Sequence, residues 1–329
     1  MNEFRVSVVV SARDAASTIG DTLDGLAAQE DAGDFEVIVV DNGSNDATAE
    51  IVEKHPSAPK LLRRKRGDGP GIARNEGAAA AVGDVLAFTD ADCKPTPHWV
   101  AAGARAIRDA DIVQGAVMPV PGEDIGPYSR TLAVVSEYGL YETANLFVRR
   151  PWFERVGGFS DWVGFSEEGW ERRVKVPDRP FGEDAWFAWR ARRLGARTTF
   201  SSDALVHHAV FAGGVKSFVA EQARLRHFPA LVAKIPELRN VLAWRRYFLN
   251  ARTAAFDLGV ASLVAAAAVR SPFPIVAVTP YLFALSREVA RWRLPLSREI
   301  AHAAAVVAAD AVGFVALVRG SIEARAPLL

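Results

Sequence analysis

The chain has 329 residues, half of them hydrophobic, and its 39 Lys plus Arg balance 39 Asp plus Glu. That length holds one large domain with an appendage or two modest domains, and a formal charge of zero lacks the basic excess of a nucleic-acid-binding surface. A single cysteine, Cys93, excludes an internal disulfide and suits a reducing compartment. The first apolar run, Val6 to Val10, is too short for a signal-peptide core, so the main folded part is expected in the cytosol.

In chain order, RVSVVVS (residues 5–11) predicts a strand buried on both faces. A helix follows from about Ser17 to Gln29, with Ile19, Leu23 and Leu26 on one stripe. FEVIVVDNGSND predicts a strand over 35–40 that ends in a polar turn, Asp41 to Ser44, then a helix over 47–54 and a third strand over 60–63. The run Arg63 to Arg66 reads as a solvated basic face, and GDGPG (67–71) as a loop. A helix from about Ile72 to Ala81 stops at Gly83, and VLAFT leads into Asp90. Residues 112–118 predict another strand, 128–148 a mixed pattern, and 157–180 a loop rich in Gly, Trp and Glu. A helix over 182–195, a strand near 197–200 and the stretch ALVHHAV close the domain.

This alternation predicts an α/β fold with a mostly parallel sheet flanked by helices, in which ligands bind beyond the carboxyl ends of the strands. Three such ends carry polar residues: Ser11 to Asp14, Asp41 to Ser44 and Asp90 to Asp92.

The last third changes character. Residues 258–269 and 271–286 are uncharged, and 301–318 contain Asp310. None of these runs reaches the roughly 20 residues of a spanning helix. Arg245, Arg246 and Arg252 precede the block, and Arg287, Arg291 and Arg293 follow its second run. The pattern predicts a helical hairpin that dips into the bilayer with both ends on the basic cytoplasmic side. The alternative is an all-helical cap packed on the catalytic domain or on a second subunit. The expected division is a catalytic domain over 1–235 and a membrane-associated region over 236–329.

Chemistry concentrates in a few residues. Asp90 and Asp92, two apart beyond a buried strand, can share a hard divalent cation that neutralises a diphosphate leaving group; solvated turns carry the same spacing. Asp41 can accept from a nucleobase edge or close an Asx turn. Arg74, in the first turns of its helix, can reach a phosphate or base, and no P-loop lysine is present. Asp184, beside Glu183, can deprotonate an acceptor hydroxyl, or the pair can oppose a helix dipole. His207, or His208 beside it, can supply a third metal ligand or contact the diphosphate, although a histidine pair is more often structural. Trp152, Trp162, Trp170, Trp186 and Trp189 cluster where an acceptor loop belongs, although aromatics more often build core.

With these residues placed, the chain resembles an inverting family 2 glycosyltransferase of the GT-A fold over roughly residues 5–225. VSVVVSARD stands for the family's opening strand, with Ser11, Arg13 and Asp14 departing from its Pro-x-Tyr-Asn. VDNGSND stands for VDDGSxD, with Asn42 replacing an Asp, and ARNEG, FTDADC, GGF and GED follow in the family's order. The resemblance implies that Asp41 contacts the base, with Ser11 and Arg74 near the nucleotide. Asp92, helped by Asp90, would hold Mg²⁺ or Mn²⁺, Asp184 would be the base, and Glu183 its neighbour or an acceptor contact. The reaction implied is one in-line displacement from a nucleotide-diphosphate sugar, inverting the anomeric carbon. EQARLRHF has Leu225 where processive members carry the Arg of Q-x-x-R-W, which implies transfer of a single sugar. A membrane-associated enzyme further implies a lipid-linked or cell-envelope acceptor. Two other readings stay open: a nucleotidyltransferase on a similar sheet, and an inactive membrane adaptor that kept the fold.

Overall fold

In the computed structural model, residues 4–65, 67, 69–160 and 181–329 are described. The first part of the chain runs β1 (Val6–Ala12), α1 (Ile19–Ala27), β2 (Phe35–Asp41), α2 (Thr48–Lys54), β3 (Lys60–Arg63), α3 (Pro70–Ala80), β4 (Val85–Asp90) and β5 (Cys93–Pro95). It continues with α4 (Trp99–Ala106), β6 (Ile112–Pro119), β7 (Asn145–Arg149), α5 (Arg150–Val156), α6 (Glu183–Arg193) and β8 (Thr198–His208). The described strands form one sheet in the order β3-β2-β1-β4-β7-β6-β8-β5.

The continuous apolar runs form the centre. Val6, Val8, Val9 and Val10 of β1 are all fully buried, as are Val85 to Phe88 of β4, because helices cover both faces of these strands. The β3-β2-β1-β4 half is parallel. The β7 strand runs antiparallel to both β4 and β6, and β8 is parallel to β6 and antiparallel to β5. The sheet is therefore mixed beyond β4. The two stretches expected after residue 197 are one strand, β8, with a register shift opposite Gly115 and Ala116.

Short elements escaped the sequence reading. The β5 strand has three residues, too few for periodicity, and α4 has only eight, buried without a break from Trp99 to Ala104. The Trp99 side chain of α4 is nonetheless fully buried, and its Nε1 donates to Asn145 Oδ1 at 2.8 Å.

The chain divides into two compact units. One contains the sheet within residues 1–123, 131–165 and 176–210, as far as they are described; the other gathers Asp124–Arg130 and Phe211–Leu329. The second unit contains α7 (Val215–Glu221), a 3₁₀ turn (Gln222–His227), α8 (Phe228–Lys234), α9 (Ala251–Val269), α10 (Thr279–Ala290) and α11 (Leu296–Ala324). Asn250 caps α9, accepting from the amides of Arg252 and Thr253 at 2.9 and 3.0 Å.

Three helical segments, Ala251–Val269, Phe273–Ala290 and Leu296–Ala324, are long and apolar enough to cross a membrane. Each is longer than the charge-free run it contains. The helices continue past the charge-free runs, and within α11 Asp310 accepts from Arg252 at 3.1 Å and from Tyr281 Oη at 2.9 Å. Pairing of this kind makes an acid tolerable away from water. Phe273, Val276 and Phe283 are left largely exposed.

Candidate active site

The parallel half of the sheet brings the polar strand ends together. Ser11 pairs with Val40 on one side and with Asp90 on the other, and Ala12 pairs with Asp41. A shared register in parallel strands puts these residues at the same height on one edge. Asp41 is buried, and its Oδ1 accepts from the Ser44 amide at 3.1 Å. The turn expected there is thus real, and it fixes the direction of the carboxylate. The neighbouring loop is tied in as well: Asp14 N donates to Ser44 Oγ at 3.0 Å, and Asn45 N to Asp14 Oδ1 at 2.7 Å.

Arg74 takes a different position from the one expected. Its guanidinium is buried, with Nη2 donating to Asp90 Oδ1 at 2.8 Å and Nη1 to Glu183 Oε1 at 3.1 Å. Burial opposes the charge, but Asp90 and then Glu183 outweigh it and hold the guanidinium more firmly protonated than usual. Arg74 is therefore a bridge between the first acid of DAD and the first acid of GED, rather than an open phosphate hook. Next to it, Asn75 clamps the backbone of Phe159: Nδ2 donates to the Phe159 carbonyl, and Oδ1 accepts from its amide at 2.8 Å. Gly158 must be glycine for this clamp, because its φ is +70° and a Cβ there would lie 2.6 Å from Asn75 Oδ1. Phe159 in turn packs on Phe88, Phe153 and Phe187. The separate motifs ARN, DAD, GGF and GED thus meet in one hydrogen-bonded group.

Asp184 follows Glu183 in the first turn of α6, where the helix dipole favours acids. Desolvation is nevertheless the largest influence on it. Together with the Glu183 and Glu142 carboxylates, desolvation pushes its pKa well above the usual range. Glu142 and Tyr138, whose hydroxyl donates to Glu142, were absent from the expected set. They lie in SEYGLYE, where Tyr138 bonds Glu142 and Tyr141 bonds Glu137. That reciprocal acid–phenol spacing is the only signal in the sequence that points to them.

Asp92 lies two residues past Asp90, about one-third exposed. The histidine beside it is His208, whose Nε2 stands 3.6 Å from Asp92 Oδ2. His207 Nδ1 instead faces the Pro119 carbonyl at 3.3 Å. Neighbouring residues of a strand point to opposite faces, so only one of the pair can serve the site. Cys93 is fully buried, and burial, helped by Asp90 and Asp92, raises its thiol pKa well above the ordinary value. The donor set of carboxylates and imidazole fits a divalent cation. Of the tryptophans, Trp186 and Trp189 are buried in the core and Arg155 stacks on Trp152, whereas Trp162 and Trp170 lie outside the described residues.

Comparison with known proteins bears on the family and the fold. The model of the family described as Glycosyl transferase family 2 matches residues 7–160. Glycosyltransferase AglE of Haloferax volcanii is 30% identical over 208 residues, covering 54% of this chain and 68% of that protein. The chain spans 35% of a second curated relative's length and 66% of a third's. Among solved structures, the mannosyltransferase PcManGT from Pyrobaculum calidifontis, in complex with GDP-Man and Mn²⁺, superposes with a TM-score of 0.56 at 19% identity, over 96% of this chain and 87% of that one. TarS 1-349 of S. aureus, in complex with UDP-GlcNAc, gives a TM-score of 0.53 at 20% identity, over 96% and 91%. Both likenesses concern the fold.

Proposed function

The chain belongs to glycosyl transferase family 2 and carries its GT-A fold, and from that premise we propose that it transfers a single sugar, with inversion, from a nucleotide-diphosphate sugar to an acceptor hydroxyl in a divalent-cation-dependent reaction. One observation carries this reading: Arg74 joins Asp90 to Glu183, so an acid that would help hold the donor's metal and the helix turn that carries the acceptor-activating Asp184 belong to one hydrogen-bonded group. In this reading Asp41 and Ser11 receive the nucleoside. Asp92, with Asp90 and His208, would hold Mg²⁺ or Mn²⁺, which supplies charge neutralisation for the departing diphosphate. Asp184 takes the proton from the acceptor hydroxyl. Structures of this fold hold both GDP-Man and UDP-GlcNAc, so the base is a question for a donor screen.

The C-terminal helices would hold the enzyme at the cytoplasmic face of a membrane and favour a lipid-linked acceptor. Single transfer is supported by the turn at 222–227, where Arg226 is committed to two 2.7 Å hydrogen bonds with Glu323. The test is release of nucleoside diphosphate by the full chain in detergent, screened over UDP- and GDP-sugars. Release is expected with Mn²⁺ and not with EDTA, and labelled sugar should enter the organic phase when membrane extract is the acceptor. Pyrophosphate release would instead mark a nucleotidyltransferase, and silence with every donor an inactive adaptor.

Asp92→Ala should lose metal-dependent donor binding. Turnover should fall at least about a hundredfold, as loss of a charge contribution of several kcal/mol requires. Unchanged donor affinity with and without Mn²⁺ would remove Asp92 from the metal site.

A further inference from the structure

We infer that Asp92, Cys93 and His208 form a mixed carboxylate–thiolate–imidazole site that takes a thiophilic divalent cation, such as Co²⁺ or Zn²⁺, in the absence of the sugar donor. The inference rests on the reading of Asp92 as a metal ligand and adds a donor atom that Mg²⁺ does not favour.

The backbone assembles the three residues. Cys93 of β5 stands directly opposite His208 of β8 in an antiparallel pair, and directly opposed residues project from the same face with their Cβ atoms about 5 Å apart. The Ala209 amide donates to the Asp92 carbonyl at 2.8 Å, which fixes Asp92 at the end of this ladder. The candidate ligand atoms of the three residues all lie within 4.8 Å of one another. Cys93 Sγ is 4.0 Å from Asp92 Oδ1, and His208 Nε2 is 3.6 Å from Asp92 Oδ2. A tetrahedral site with ordinary zinc–sulfur and zinc–nitrogen bonds separates S and N by about 3.5 Å, so a small inward shift of the side chains completes the geometry.

The imidazole is already set for the task. His208 Nδ1 lies 2.7 Å from the Ala209 carbonyl, an acceptor that holds the proton on Nδ1. Nε2, on the side of Asp92, is then the nitrogen that would ligate, the arrangement that outer hydrogen bonds impose on metal-binding histidines. The thiol is fully buried, while Asp92 and His208 are partly exposed, so an ion approaches past the carboxylate and reaches sulfur last. On binding, the metal–sulfur bond replaces the S–H bond and the proton passes to solvent; nothing is oxidised.

The chain's single cysteine makes the test direct. The metal-stripped full chain is titrated with Co²⁺ and its absorption recorded. A thiolate-to-cobalt charge-transfer band in the near ultraviolet, saturating at one equivalent, is expected. Cys93→Ser should lose that band and bind Co²⁺ at least about tenfold more weakly, with an unchanged far-ultraviolet circular dichroism spectrum. Co²⁺ bound at equilibrium dialysis without the band, or no binding at all, would overturn the inference. Failure of the transferase reading is visible separately, as absent nucleoside diphosphate release from a protein that still shows the band.

Discussion

Asp184→Asn should lower sugar transfer by about 10²–10⁴-fold, the usual worth of a positioned general base, while donor affinity stays at the wild-type value. Asn keeps the oxygen that accepts from the Ala185 amide at 2.8 Å and removes only the capacity to take a proton. The wild-type pH profile should carry the same signature. Desolvation, Glu183 and Glu142 raise the Asp184 pKa well above the ordinary carboxylate value, and the base works only when ionised. Turnover should therefore fall with decreasing pH along a limb placed well above that of an ordinary aspartate.

The stability consequence has a definite sign. A carboxyl whose folded pKa lies above its unfolded value, about 3.9 for Asp, costs stability as pH rises through that interval and keeps the cost above it. Asn has no such cost, so the variant should melt no lower than wild type at neutral pH. Loss of donor binding together with turnover, or full turnover, would remove Asp184 from the role of base.

Arg74→Ala should cost about 3–5 kcal/mol, because deleting one partner of a buried ion-paired group leaves the other charges uncompensated. Here two carboxylates are left, Asp90 and Glu183, and Glu183 is nearly as buried as the arginine. For a unit of this size the melting temperature should fall by on the order of 10 °C, read by thermal denaturation of the full chain in detergent. Arg74→Lys should recover only part of the loss, since one ammonium cannot reproduce a planar fork that donates to two acids at once. An unchanged melting temperature in the alanine variant would show that the bridge contributes nothing to holding the motifs together.

Residue by residue, what the sequence disclosed follows a simple division. β1, β2 and β4 were legible because strands covered on both faces need unbroken β-branched and apolar runs, such as VSVVV and VLAF. Asp41, Asp90 and Asp92 were legible because parallel strands place their ends on a common edge. The order of the motifs made the family legible. Hidden from sequence were β5, which is too short to show a period, and the acid–phenol pairs of SEYGLYE, which no regular element frames. The selection of His208 over His207 was hidden too, because neighbouring residues in a strand differ only by the face they take.

Sequence by itself therefore determined the class of fold, which acids stand at the ends of neighbouring strands and the apolar character of the last third, all of which follow from local composition and period. Tertiary structure alone decided that Arg74 reaches Glu183, 109 residues further along the chain, and joins it to Asp90, that Asn75 clamps Phe159, and that Asp310 is neutralised by Arg252. A charged side chain's role depends on which partner comes within about 3 Å, and that distance is set by how the elements pack rather than by where the residues lie along the chain.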